Sequence, residues 1–366
     1  MSSRAESDAL HARARAFVLA FERGAPMPEP FDGLAADLAR YQARHVHGYA
    51  RLCAARGVDP EAITRAVEAP AVPTDAFKVS SVFAFDPPDA TTTFCTSGTT
   101  LGARGTHRMR DVTTYDAAAL AFGRALLAHG LALPAAVIVV GPSDAEAPDS
   151  SLAHMNATFA RAWGEAESEA TYFVRGGEIA MPALRERVTA LPANTPAIVL
   201  ATSFALVHLL DAMGGERLPL PAGSRVMLTG GYKGKSREVE AGALRRAVSD
   251  ELGVAPRNVI GEYGMTELSS QFWEATVARA DAPQGVYVEP PWARVVAVHP
   301  ETLAPVPDGQ IGIARIEDLA NVDSAFAILS QDRVRRVPGG FELLGRAPGA
   351  PPRGCSIALD EMLGGA

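Results

Sequence analysis

The sequence predicts an α/β fold. Short continuous apolar runs alternate with amphipathic segments between residues 135 and 265, the pattern of a sheet with helices on its faces. Residues 1–90 carry helical spacing almost throughout, and from Val286 the texture changes to short β-prone runs separated by Pro- and Gly-rich turns.

Taken in order, Leu10, Ala14, Phe17, Val18 and Phe21 recur at helical spacing and predict an amphipathic helix docked on the body. Further helices are expected over Phe31–Arg56 and Pro60–Val67; Pro70 and Pro73 then break the pattern before an expected strand at Ser80–Phe85. The Thr92-Thr93-Phe94 run leads into a hydroxyl-rich loop, followed by a helix from Thr113 to His129. Buried strands are expected at Ala135–Val140, Pro196–Thr202, Arg225–Thr229 and Asn258–Gly261. The helices between them are expected at Ser150–Trp163, Pro182–Leu191, Phe204–Met213 and Ser236–Leu252. Tyr287–Glu289, Ala293–Val298 and Ile311–Ile316 read as a smaller antiparallel β subdomain. The expected organisation is a helical region over 1–90, an α/β nucleotide-binding core over 91–285, the β subdomain over 286–344 and a hinge-like tail over 345–366.

Composition bounds the function. Hydrophobic residues make up 48% and charged residues 21% of the 366, close to the globular average. A net charge of −8 argues against a nucleic-acid surface, which needs a basic patch or stripe. No stretch approaches the roughly 18 apolar residues of a membrane span, and residues 1–23 lack the apolar core of a secretory signal. Cys53, Cys95 and Cys355 form no metal-ligand spacing, and their scarcity fits a reducing compartment. A soluble cytoplasmic protein is expected.

Two motifs carry the chemistry. Thr96-Ser97-Gly98-Thr99-Thr100, with Gly102 and Gly105 following, offers hydroxyls and backbone N–H groups with no Cβ at its tightest point, which suits close approach to a polyphosphate. No Gly-Lys-Ser/Thr follows, so it is not a Walker A loop; the alternative is a polar strand–helix connection. In Glu262-Tyr263-Gly264-Met265-Thr266-Glu267, after an expected strand, an aromatic can stack on a purine, a threonine can bind phosphate and Glu267 can hold Mg²⁺. The alternative there is a turn before a helix, with Thr266 as N-cap.

In this order and separation the pair resembles the adenylate-forming superfamily of acyl-CoA synthetases and nonribosomal adenylation domains. Thr96–Thr100 matches its phosphate loop and Gly230-Gly231-Tyr232 lies where it contacts adenine. Tyr263–Glu267 matches its Tyr-Gly-x-Thr-Glu signature, Asp332 its ribose-binding aspartate, and Gly345-Arg346 its hinge, whose arginine also contacts the nucleotide. Within the superfamily the chain resembles the acyl-protein synthetases, the LuxE-like component of the fatty acid reductase of luminous bacteria, which overlap with phenylacetate-CoA-ligase-like proteins. Arg104-Gly105-Thr106-His107, Ser150–Met155, Gly261–Leu268 and Arg353-Gly354-Cys355-Ser356 carry this narrower likeness.

The resemblance implies the large N-terminal domain of an adenylate-forming enzyme without the usual mobile C-terminal domain. It implies ATP and Mg²⁺ as cofactors, a carboxylic, expectedly fatty, acid as substrate, and a separate NADPH-dependent acyl reductase as partner. The chain departs from the superfamily at Leu101, which is extra in the phosphate loop, and in lacking the C-terminal lysine that bridges carboxylate and α-phosphate; Lys233 and Lys235 are the candidates to replace it. Cys355 is the expected acyl acceptor, with Arg346 and Arg353 expected to lower its thiol pKa; the alternative is an inert cysteine in a partly buried tail. His154 is a candidate to contact the acid, with a buried structural histidine as the alternative. An acyl- or aryl-CoA ligase using free CoA, and a non-catalytic nucleotide-binding subunit, are the competing functions.

Overall fold

A computed structural model of the chain describes residues 3–97, 103–165, 171–230, 240–347 and 352–364. Its elements, in chain order, begin with helices α1 (Ser3–Glu22), α2 (Phe31–His45) and α3 (His47–Ala55), followed by β1 (Val72–Pro73) and α4 (Ala76–Val79). Next come β2 (Thr92–Cys95), β3 (Thr106–Met109), α5 (Thr113–Leu126), β4 (Ala136–Val140), α6 (Ser151–Trp163), β5 (Val174–Arg175), β6 (Glu178–Ile179) and α7 (Met181–Thr189). Then follow β7 (Ala197–Thr202), α8 (Ser203–Met213), β8 (Arg225–Thr229), α9 (Ala241–Glu251), β9 (Val259–Tyr263), β10 (Phe272–Glu274) and β11 (Val286–Val288). The chain closes with β12 (Ala293–Val298), β13 (Ile311–Asp318), β14 (Ala327–Val337), β15 (Gly340–Arg346) and α10 (Arg353–Leu363).

Contacts divide the chain into two compact units that do not follow sequence order. One comprises Met1–Ala121, Met265–Gln271 and Val288–Ala366; the other comprises Phe122–Gly264 and Phe272–Tyr287.

In the second unit β4, β7, β8 and β9 pair in parallel and β10 runs antiparallel to β9. Continuous apolar runs such as Ala136–Val140, buried at every position, are what a parallel sheet covered on both faces requires. Helices α8 and α9 begin on their own caps: Thr202 Oγ1 accepts from Ala205 N, and the Glu240 carboxylate accepts from Gly242 N and Ala243 N. Leu206, Val207, Leu209, Leu244 and Val248 point their apolar faces into the core with Ile138, Val199 and Val226.

In the first unit β12, β13, β14 and β15 form an antiparallel meander, and β1 adds to β14 in parallel. Helix α1 buries Leu10, Ala14, Phe17 and Val18, as its spacing predicts. A buried polar knot ties it down: Asp323 accepts from Ser7 Oγ (2.6 Å) and Tyr41 OH (2.9 Å), with His11 Nε2 at 3.2 Å and Arg110 Nε at 3.4 Å.

Three sequence expectations change. The helix expected over Phe31–Arg56 breaks at Val46, which takes extended backbone (φ −109°, ψ 97°) and is buried, so that α2 and α3 each bury their own face. Pro60–Val67 holds two single 3₁₀ turns, Pro60–Ala62 and Ala66–Glu68; the Glu68 carboxylate folds back onto Thr64 N and Arg65 N and ends the pattern. Ser80–Phe85 is not a strand. Its backbone bonds go to a loop instead, Ala84 N to Asp323 O and Ser324 Oγ to Val82 O.

Candidate active site

The predicted site residues fall into both units. In the first, β2 and β3 pair antiparallel from Thr92↔Met109 to Cys95↔Thr106, so the hydroxyl-rich loop closes a hairpin rather than joining strand to helix. At its root Thr96 N donates to Gly105 O (2.8 Å) and Gly105 N to Thr96 Oγ1 (2.9 Å). A Cβ on Gly105 would stand 3.1 Å from Thr96 Cγ2, tight enough to favour glycine. Arg104 Nε donates to Thr96 O at 2.8 Å, and Ser97 is exposed. Gly98, Thr99 and Thr100 lie outside the described residues.

Met265-Thr266-Glu267 forms a turn closed by Leu268 N donating to Met265 O (3.1 Å), with no helix after it, so the N-cap alternative for Thr266 falls away. The segment is held by other parts of the same unit. His107 Nδ1 lies 2.8 Å from Thr266 O, Asn321 Nδ2 donates to Glu267 O (2.8 Å), and Asp318 accepts from Ser269 N (2.9 Å) and Ser270 Oγ (2.7 Å). Burial pushes the His107 pKa down to about 4 against the raising effect of the Thr266 carbonyl. The ring is therefore neutral at physiological pH, and only the Nδ1–H tautomer can donate to that carbonyl. Burial likewise pushes Asp318 up to about 6, its Ser269 and Ser270 bonds pulling the other way. The Glu267 side chain is buried, and Met265 and Thr266 are half-buried.

Asp332 and Arg346, nucleotide contacts in the sequence reading, are cross-strand partners on β14 and β15. Arg346 Nε lies 3.5 Å from Asp332 Oδ1. The neighbouring Gln331 donates through Nε2 to Asp75 Oδ2 (2.7 Å), whose other oxygen accepts from Lys78 Nζ (2.6 Å).

In the second unit Gly230 follows β8 in the left-handed conformation (φ +74°), and its carbonyl and that of Thr229 accept from Ser203 Oγ. Gly231, Tyr232, Lys233 and Lys235 lie outside the described residues. Tyr263 ends β9, with its ring packed against Phe272 (6.0 Å) and Tyr287 (6.2 Å); Gly264 is exposed. Glu262 is buried and hydrogen-bonded to Thr229 Oγ1, and burial raises its carboxyl to about 7 while that bond pulls it down. His154 sits half-buried on α6.

Cys355 departs from expectation. It lies on the inner face of α10, 3% exposed, while Arg353 is exposed and Arg346 engages Asp332. Burial, and then the Asp75 carboxylate, push its thiol up to about 11; the lowered pKa expected from the arginines is not found. Helix α10 is docked on α3: Arg51 Nε donates to Met362 O (2.6 Å) and Arg56 Nε to Glu361 Oε2 (2.8 Å).

Sequence reasoning assigned no role to His107, Asp75 or Lys78. His107 falls at an inward position of β3, and that alternation was the available signal. Asp75 caps, and Lys78 lies within, a four-residue helix whose position follows from the β1–β14 pairing.

Among the described residues no helix is long and apolar enough to cross a membrane. A sequence comparison with curated proteins yields no match. Among solved structures the chain is similar to 2-hydroxyisobutyryl-CoA ligase in the postadenylation state with 2-HIB-AMP, at 14% identity and TM-score 0.62, over 86% of this chain and 67% of that one. An open conformation of the same ligase with 2-HIB-AMP and CoA gives 15% identity and TM-score 0.63, over 86% and 69%. ATP-bound MatB from Rhodopseudomonas palustris gives 15% identity and TM-score 0.49, over 72% of this chain and 49% of that one. The chain thus spans between half and about two-thirds of the length of these ligases, and the likeness to 2-hydroxyisobutyryl-CoA ligase is one of fold. The family model "Acyl-protein synthetase, LuxE" matches residues 1–364, and the chain belongs to that family.

Proposed function

We propose that this protein activates a carboxylic acid with ATP to an acyl-adenylate, releasing pyrophosphate, and then passes the acyl group to a thiol. Family membership over residues 1–364 supports the reaction class. The observation that carries the site is the cross-strand pairing of Asp332 with Arg346, which brings together two residues that the sequence marks for the nucleotide.

A carboxylic acid is already ionised at neutral pH, so the chemistry needs no base to activate it. What it needs is neutralisation of two anions as they meet. The Thr96–Thr100 loop would supply hydroxyls and N–H groups, and Thr266, fixed through its carbonyl by His107, a further hydroxyl. Glu267 fits magnesium, which takes one or two carboxylates plus phosphate oxygens rather than a protein cage. A bound Mg²⁺ would offset charge on the phosphates.

In the second step the thiol sulfur attacks the acyl carbon. The C–S bond forms, the bond to the AMP oxygen breaks, AMP leaves with the electron pair, and the thiol proton passes to solvent. Cys355 is the acceptor in the preferred reading, and a separate reductase would take the acyl group from it. Its burial on docked α10 means that the helix must expose it first. The same burial favours free CoA as the second reading.

Intact mass after incubation with ATP, Mg²⁺ and a panel of carboxylic acids tests both. A hydroxylamine-labile adduct absent in Cys355→Ala, with acid-dependent pyrophosphate exchange retained in that variant, supports self-acylation. CoA-dependent turnover by Cys355→Ala selects the CoA ligase.

A further inference from the structure

Bringing a carboxylate onto the α-phosphate of ATP sets two anions against each other, and a cation between them offsets that repulsion. Lys78 is the one lysine among the described residues. It stands where three segments of the first unit meet. Its neighbour Phe77 packs on the root of the hydroxyl-rich loop, the Phe77 Cβ lying 3.5 Å from where a Gly105 Cβ would be. The Phe77 ring meets the ring of His107 edge-on at 5.8 Å, and His107 holds Thr266. On the other side, Asp75 joins the Lys78 ammonium to Gln331, the residue before Asp332.

We propose that Lys78 is a catalytic residue of the adenylation step, its ammonium contacting the substrate carboxylate and the α-phosphate as they approach, with Asp75 and Gln331 holding it beside the Asp332 strand in the absence of substrate. The placement follows from the fold. Parallel pairing of β1 with β14 (Val72↔Ile328, Pro73↔Leu329) carries Asp75 alongside Gln331, and the short α4 that follows directs Lys78 from there. The side chain is 44% exposed, so the ammonium can leave the Asp75 carboxylate at little cost, because solvent screens an exposed ion pair. No proton moves through Lys78; the ammonium only offsets charge as the carboxylate oxygen bonds to phosphorus and pyrophosphate leaves.

The inference rests on the adenylation reading, and acid-dependent pyrophosphate exchange into ATP separates the two. No exchange in the unaltered protein with any acid of the panel would overturn the reading itself. With exchange present, Lys78→Ala is expected to lower its kcat about a hundredfold, the scale of losing one charge-stabilising group. ATP binding, followed by calorimetry, should change far less, and Lys78→Arg should recover part of the rate. Asp75→Asn separates chemistry from scaffolding: it breaks the same ion pair but leaves the ammonium, and is expected to keep exchange within severalfold. Presented with synthetic acyl-adenylate, Lys78→Ala should lose far less in thioester formation than it does in exchange. Unchanged exchange in Lys78→Ala, or a loss in Asp75→Asn as large as in Lys78→Ala, would overturn the assignment.

Discussion

Asp332 and Arg346 face each other across β14 and β15, in register, with Arg346 Nε 3.5 Å from Asp332 Oδ1. The arginine side chain is 62% exposed and the aspartate 14%, so the pair sits at the lip of the first unit, not in its core. An ion pair so placed adds little to folding, because solvent screens it. Its value lies in presenting a carboxylate and a guanidinium at one place on rigid strands.

Arg346→Ala should therefore shift stability by less than about 1 kcal/mol. Acid-dependent pyrophosphate exchange should fall at least tenfold in the same protein. Parallel thermal melts and exchange assays make the comparison, and a large drop in melting temperature would mean that the pair is structural.

His107 holds the Thr266 carbonyl through Nδ1 at 2.8 Å. Replacing it with Phe keeps the ring beside Phe77 but removes the donor to the Thr266 carbonyl. A small displacement of a catalytic turn can cost about 10²-fold in rate, and a loss of that order in kcat is expected. Because the His107 pKa lies near 4, exchange rates in the unaltered protein should show no titration of this ring between pH 6 and 8. A neutral-range break that vanishes in His107→Phe would contradict the neutral tautomer.

Glu262 links pH to stability. Its folded pKa, about 7, is raised from 4.5, so the folded protein holds this proton more tightly than the unfolded chain does. The resulting stabilisation is complete below about 4.5 and is lost as pH rises through 7. Glu262→Gln stays neutral and should escape that loss, gaining on the unaltered protein by roughly 3 kcal/mol between pH 4.5 and 8. Urea denaturation of both proteins across that range gives the difference curve; a flat one rules out a buried titrating carboxyl.

Asp323 behaves oppositely. Burial works to raise its pKa, but His11, Ser7 and Arg110 hold it down at about 2, below the ordinary 3.8. The stability it contributes is present above 3.8 and is lost as pH falls through 2. At neutral pH Asp323→Asn leaves the buried Arg110 paired with the exposed Asp8 carboxylate (2.7 Å) and weakens the bonds from Ser7 and Tyr41, and should cost about 1–3 kcal/mol. Denaturation at pH 7 checks the size, and convergence of variant and parent below about pH 2 checks the sign.

The strands of the second unit were legible because a parallel sheet buried on both faces needs continuous apolar runs; Arg225–Thr229 falls where the sequence places it. The Tyr263–Glu267 turn was legible for a related reason, since its residue types announce it at the end of a buried strand. Strands β14 and β15 were not expected as strands, although Asp332 and Gly345-Arg346 were singled out within them. Their pairing depends on a register that no local pattern encodes. Helix propensity ran through Val46, and only packing on both sides decided that the backbone should extend there.

The sequence by itself determined the fold class, the order of the motifs and the family likeness, because periodicity and loop chemistry are properties of neighbouring residues. Tertiary structure alone decided that Cys355 is covered and carries a raised pKa, that His107 is neutral and holds Thr266, and that Lys78 meets Asp75 beside Gln331. Those outcomes depend on desolvation and on charges brought close by chain pairing, and both arise between residues far apart in the sequence.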